Sequence, residues 1–184
     1  MKKADATREK LLSHARSLMW SRGYSAVSLR EVSQAAGVDV ALVSRYFGGK
    51  KGLFEATLEG AFDVPSVPDE ATLVNASVQM FVNAPRGGPG PSVLHLMLMN
   101  AHDDEVGDLV RDAQLREMQT VIEQVTGDKT RAALFMAVTL GMSVAEKSMH
   151  LPGIAPHDTP EYAAQLRHML EAALAFKGSS NVKS

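Results

Sequence analysis

Residues 28–50 read SLREVSQAAGVDVALVSRYFGGK, and this stretch decides the fold. Ser28 and Glu31 have the S-x-x-E spacing of a capping box, which satisfies two orphan amides at a helix start. Leu29, Val32 and Ala36 then share one helical face, and Gly37 stops the helix. Ala35 and Ala36 are small enough to let two helices come close, and Gly37 can take the left-handed backbone that a sharp turn needs. Asp39 stands where the next N-cap belongs, and a second short helix is expected to run to about Phe47. Val38 and Leu42 give that helix an apolar underside and leave its outer face free. Two short helices around a glycine turn form a helix-turn-helix, whose second helix can enter a DNA major groove. A helical hairpin with no DNA role is the plainer alternative.

Working outward, Leu11, Ala15, Leu18 and Met19 fall at i, i+4, i+7 and i+8, one apolar stripe that Gly23 ends as a C-cap. After Gly48 and Gly49 the pattern predicts a helix over 50–62, with Leu53, Phe54, Leu58 and Ala61 inward and with Phe47 and Leu53 in the core. Further helices are expected at about 69–83, 91–102, 104–126, 129–149 and 160–176. Thr159, Pro160 and Glu161 make a strong helix start, and Asp128 after Gly127 separates two helices. His102, Asp103 and Asp104 look like another acidic helix start. Breaks rich in Pro or Gly fall at 63–69, 83–91 and 151–160, and residues 178–184 read as a frayed tail. The expected fold is all-α with about nine helices. A three-helix helix-turn-helix head lies within a domain over 1–62, and a second helical domain spans 63–184.

Hydrophobic residues make up 45% of the 184-residue chain and charged residues 22%, enough apolar surface for a packed core. No cysteine is present, which excludes disulfides and thiolate zinc sites. The apolar run 132–145 is too short to span a bilayer and reads as a buried helix, so no membrane partner and a cytoplasmic location are expected. Charge is unevenly placed. Residues 1–62 hold 10 Lys/Arg against 6 Asp/Glu, a net of +4, while residues 63–184 hold 9 against 15, a net of −6. A basic head on an acidic remainder suits contact of the head alone with a polyanion. His95, His102, His150, His157 and His168 lack the i, i+4 spacing of a helical metal site, so no metal and no cofactor are expected. No nucleophile elbow, phosphate loop or dinucleotide fingerprint appears, and Ser143 with His150 has no orienting acid in view, so the chain does not read as an enzyme. A scaffold that dimerises without DNA is the remaining class.

Taken together, Ser28-x-Arg30-Glu31-Val32, Ala35-Ala36-Gly37-Val38 and Tyr46-Phe47-Gly48-Gly49-Lys50-x-Gly52-Leu53 resemble the TetR family of transcriptional regulators. The resemblance covers residues 7–62, and residues 41–54 look especially like an actinobacterial branch. It implies a double-stranded, palindromic operator as partner, bound by a homodimer, usually to repress, and released by a small-molecule effector. By position, Ser28 would cap its helix and bond a phosphate, and Thr7 would reach the same backbone. Asp39, Val40, Ala41, Ser44, Arg45 and Tyr46 would present the reading surface, and Lys50 would meet phosphate at a helix start. Arg30 is either a further contact or simply a solvated or acid-paired cation. Many family members carry Tyr where this chain has Ser44, so that contact is lost or moved to Arg45 and Tyr46. Arg45 is the best candidate for base readout, since a guanidinium can pair bidentately with guanine.

For the rest of the chain the resemblance implies that helices 129–149 and 160–176 pack against their copies as a four-helix bundle. Ala132, Ala133, Leu134, Phe135, Met136 and Ala137 make that helix apolar nearly all round, and Ala137, Gly141 and Ala145 permit close approach. A single buried helix in a monomer is the alternative. Methionines at 80, 97, 99, 118, 136 and 142 suit an adaptable cavity, although they serve equally as core filler. Phe81, Leu94, Met97, Met118 and Met142 are the nominated effector contacts, with His95 as a polar handle.

Overall fold

The computed structural model describes residues 3–63, 66–83 and 91–177. Among them no strand occurs. The helices are α1 (Lys3–Arg22), α2 (Leu29–Ala36), α3 (Ala41–Phe47), α4 (Lys50–Leu58), α5 (Glu70–Val82), α6 (Val93–Asn100), α7 (Gly107–Gln114), α8 (Thr120–Thr126), α9 (Lys129–Lys147) and α10 (Pro160–Leu174). A π turn, Leu115–Gln119, joins α7 to α8 without a break, so this run counts as one helix and the described total as nine. The 83–91 loop, part of the 63–69 break and the 178–184 tail fall largely outside the described residues.

The chain packs as two compact units. One holds Met1–Asp63 with Pro89–Leu115, the other Val64–Gly88 with Arg116–Ser184. A single cut after residue 62 therefore does not follow the packing, because α6 and α7 join the first unit, where α6 lies on α1 and α7 on α4. The reason is visible on α6: Leu96 and Asn100 are fully buried, and the Asn100 amide donates to the Met19 carbonyl at 3.1 Å.

In the first unit the stripe of α1 (Leu11, Ala15, Met19) is fully buried with Val32, Val43, Leu53, Phe54 and Phe62. Leu18 is only half-buried; Leu12 and Trp20 take its place. The Trp20 indole donates to the Thr57 hydroxyl at 3.0 Å, which donates on to the Phe54 carbonyl at 2.6 Å, so this buried polar pair is satisfied. Two expectations change here. The helix expected over 50–62 stops at Leu58, because Gly60 turns left-handed (φ 65°), yet Phe62 still folds back into the core. Phe47, expected in the core, is half-buried.

The second unit buries α5, α8, α9 and α10 around Leu73, Phe81, Phe135, Tyr162, Leu166 and Leu170. Caps follow the sequence: Asp69, Asp128 and Thr159 each accept from the third amide of their helix. Arg131 ties the unit together, pairing with Glu70 at 2.8 Å and donating to the carbonyls of Leu174 and Thr126. The acidic start expected at 102–104 is instead a turn: the Asp103 carboxylate accepts from the Glu105 and Val106 amides, and α7 begins later, at Gly107.

Candidate nucleic-acid interface

The turn between α2 and α3 is built as its residues dictate. Ser28 accepts from the Glu31 amide at 3.2 Å, and the Glu31 carboxylate accepts from the Ser28 amide at 2.8 Å. At the other end Gly37 is left-handed (φ 67°), its N–H reaching the Gln34 carbonyl while Val38 reaches Ser33. Asp39 caps one residue early: its carboxylate accepts from the Ala41 amide at 2.7 Å, while the N-cap position proper falls on Val40, whose side chain can make no cap bond.

α3 has one buried side chain, Val43; Leu42, expected as its underside with Val38, is half-buried. Ala41, Ser44 and Arg45 stand at i, i+3 and i+4 and are all exposed, with Val40 beside them 44% exposed. Arg45 makes no hydrogen bond or ion pair among the described residues, and the same holds for Arg30, so Arg30 has no acid partner there. Arg22 is the cation that pairs with Glu31, at 3.1 Å. Tyr46 is half-buried and meets the Phe47 ring edge-on.

The α3–α4 corner depends on Gly52. A Cβ there would lie 1.9 Å from the Phe47 carbonyl oxygen, so no side chain fits. The first amides of α4 have no side-chain cap, since the N-cap residue is Gly49. Lys50, at that start, rests its ammonium 4.1 Å from the Tyr24 ring centroid. Arg8 lies 5.2 Å over the Phe47 ring, which brings the first turns of α1, Thr7 among them, to the end of α3. Reading the sequence alone missed Arg8; a basic residue one turn into α1, facing an aromatic at the end of α3, was the available signal. The Ser28 hydroxyl donates its one proton to Glu31 at 2.9 Å, so a phosphate bond from it requires that proton to be redirected.

Behind this face lies a second group that sequence reading also missed. The Tyr24 amide donates to Asn100 Oδ1 at 2.7 Å, the Tyr24 hydroxyl to Glu105 at 2.6 Å, and the Ser25 hydroxyl to Asp103 at 2.6 Å. Burial and then the Glu105 carboxylate push the Tyr24 phenol well above its ordinary pKa, so it stays a donor. Asp103 is held below the ordinary carboxylate range: its partial desolvation opposes this, but hydrogen bonds from Ser25, Glu105 and Val106 outweigh it. Tyr24 also meets Phe54 of α4 edge-on at 5.4 Å. A polar Asn directly after the apolar 96–99 run was the clue.

The nominated effector contacts divide between the two units. Phe81 and Met142 are buried in the second unit, and Met118 packs against the same core. Leu94, Met97 and His95 belong to α6 in the first unit; Leu94 is buried, Met97 half-buried and His95 exposed, where its ring nitrogen meets the Ser92 hydroxyl at 3.0 Å as part of a helix cap. Met80 and Met99 are exposed, so the methionines do not form one stripe. No helix among the described residues is long and apolar enough to cross a membrane, and no cluster of three potential metal ligands occurs among them.

Comparison with known proteins agrees with this geometry. A model of the bacterial regulatory proteins of the tetR family matches residues 11–57, and one of the tetracyclin repressor-like C-terminal domain matches residues 72–174. The probable HTH-type transcriptional regulator YttP of Bacillus subtilis (strain 168) is 35% identical over 74 residues, a stretch that spans 40% of this chain and only 36% of that protein. Among solved structures, NalD, the secondary repressor of the MexAB-OprM multidrug efflux pump in Pseudomonas aeruginosa, superimposes with a TM-score of 0.68 at 19% identity, covering 93% of this chain and 96% of that one. A tetR-family transcriptional regulator from Streptomyces coelicolor gives 0.62 at 22% identity, covering 92% and 80%. At such identities these two likenesses speak for the fold. The two family models span both the helix-turn-helix and the helices after it, and the chain belongs to the TetR family of transcriptional regulators, which bind DNA through this N-terminal motif.

Proposed function

We propose that the protein is a ligand-responsive repressor that binds a palindromic operator as a homodimer and is released by a small molecule. Residues 1–62 serve as the DNA-binding domain and residues 63–184 as the ligand-binding and dimerisation domain, with no catalytic role. The observation that carries this reading is α3: one residue buried, and Ala41, Ser44 and Arg45 turned outward, the arginine without a partner among the described residues. Arg45 reads bases; Ser44, Tyr46, Asp39, Val40 and Ala41 line the same surface; Thr7, Ser28, Arg30 and Lys50 meet phosphates. The two heads of a dimer must stand roughly 34–36 Å apart, or a multiple of it, to enter successive grooves.

Dimerisation is supported by α9. Its inward face is Ala132, Phe135, Met136 and Met142, while Ala133, Ala137 and Gly141, one turn apart, are exposed. Small residues at that spacing admit another helix closely, and Ala164 and Ala172 on α10 are exposed in the same way. Phe81, Met118 and Met142 are the better-supported effector contacts, since they share one apolar cluster. Coupling to DNA runs through the bonds of Tyr24 and Ser25 to the α6–α7 corner, because α4 is too short to act alone as the lever expected from residues 50–62. An effector must favour one head arrangement over the other for the switch to work.

Fluorescence anisotropy with DNA from upstream of the gene and a scrambled control, at several salt concentrations, tests this. Tight binding to the upstream DNA, lost on adding an effector, is the expected result. An operator affinity that no small molecule alters overturns the ligand-responsive part.

A further inference from the structure

The π turn Leu115–Gln119 interrupts a helix without local cause. Leu, Arg, Glu, Met and Gln are among the strongest α-helix formers, and the segment holds no Pro or Gly. Tertiary structure therefore imposes the irregularity, and π turns inside α-helices are frequent at functional sites. Within this turn sits Glu117. Its Oε2 is closed off from solvent and has no hydrogen-bond partner, the one buried side-chain oxygen in that condition among the described residues. Two other acids of the second unit differ: Glu70 is paired with Arg131, and Glu146 accepts from the Tyr162 hydroxyl. Backbone regularity and polar satisfaction thus fail at the same residue, a coincidence expected where a site is kept for a ligand.

The neighbouring Met118 packs against the apolar cluster that contains Phe81, Met136 and Met142. Thioether side chains repack easily, so this cluster can yield to an apolar guest. We infer that Glu117 is the charge-recognising residue of the effector site, and that the effector class is an apolar molecule carrying a hydrogen-bond-donating cation, a protonated amine or amidinium. An unpartnered carboxylate oxygen takes an N⁺–H donor in a short, strong bond. It repels anions and gains less from neutral donors. The excess of acids over bases across residues 63–184 favours the same sign of ligand. The inference rests on the ligand-responsive reading above.

The test uses the full chain, as wild type and as Glu117→Gln and Glu117→Met. Without ligand, Glu117→Met should melt at or above the wild-type temperature, since it removes an acceptor that nothing satisfies; a clearly lower melting temperature means the carboxylate already has a structural partner and overturns the inference. Calorimetry then compares matched probes, naphthylmethylammonium against naphthylmethanol and biphenylamidinium against biphenylcarboxamide. At least one cation should bind wild type about tenfold or more tighter than its neutral counterpart, with the preference gone in Glu117→Gln. No preference in wild type, or a preference that survives Glu117→Gln, overturns it. A Glu117-dependent preference that leaves operator binding unchanged upholds this inference while refuting release by ligand. Release by neutral or anionic compounds, equal in wild type and Glu117→Gln, does the reverse.

Discussion

The α2–α3 corner and the α9–α10 pair expose opposite kinds of surface. On α3 the outward face is Ala41, Ser44 and Arg45, a short surface around a guanidinium that has no partner among the described residues. On α9 it is Ala133, Ala137 and Gly141, small and uncharged. The first surface has something to say to a polyanion with a patterned groove, and the second only to another closely fitting helix. The contrast appears in single glycines too: a Cβ on Gly52 strikes the Phe47 carbonyl, while one on Gly141 meets nothing within 4 Å. Gly52 serves the chain's own fold, and Gly141 has no intramolecular reason to be glycine.

Substitutions at these two positions should behave in opposite ways. Gly52→Ala has the largest expected effect: the α3–α4 corner must open, destabilising the head by about 3 kcal/mol, with DNA binding lost and most helical circular dichroism kept. Wild-type melting in the Gly52→Ala variant would show that the corner is not this tight. Next comes Asn100→Ala, which strips the buried Tyr24 amide of its acceptor and the Met19 and Leu96 carbonyls of a donor; a loss of about 2–3 kcal/mol by urea unfolding is expected. Gly141→Leu should leave the isolated fold alone, yet weaken the proposed dimer in sedimentation equilibrium by about 1–3 kcal/mol through overpacking. An unchanged dimer would remove α9 from the interface. The smallest effect concerns acid. Hydrogen bonds from the Ser28 amide and hydroxyl, and then from Arg22, hold Glu31 below the ordinary carboxylate range. Its contribution is therefore complete above the unfolded value, roughly 4.3, and is lost as pH falls through the lower folded value. Melting curves between pH 6 and 3 should show less acid sensitivity in Glu31→Gln than in wild type.

The head was legible because its signals are local. The Ser28–Glu31 box, Gly37 and the glycines before Lys50 each fix a backbone feature within a few residues, and all agree with the apolar periodicity. The helix starts at Asp69, Asp128 and Thr159 were readable for the same reason. What escaped were features set by distant residues. Asn100 bonds a chain segment 76 positions away, Gly60 ends α4 while Phe62 stays buried, and the π turn arises in a sequence with ideal helix propensity. On α9, Ala132 and Ala133 look alike in sequence, yet one is buried and the other exposed. Periodicity cannot say which apolar face meets the core and which a partner. For the same reason Leu94, His95 and Met97 were grouped with Phe81, Met118 and Met142, although the two sets belong to different packing units.

The central claim is that α3 reads DNA through Arg45, and the most direct measurement is operator affinity at several salt concentrations for wild type, Arg45→Ala and Lys50→Ala. Arg45→Ala should cost about 1–3 kcal/mol on the operator and far less on scrambled DNA, while Lys50→Ala should weaken both alike and lower the salt slope by about one. Equal losses on operator and scrambled DNA for Arg45→Ala, or none on either, would contradict the account.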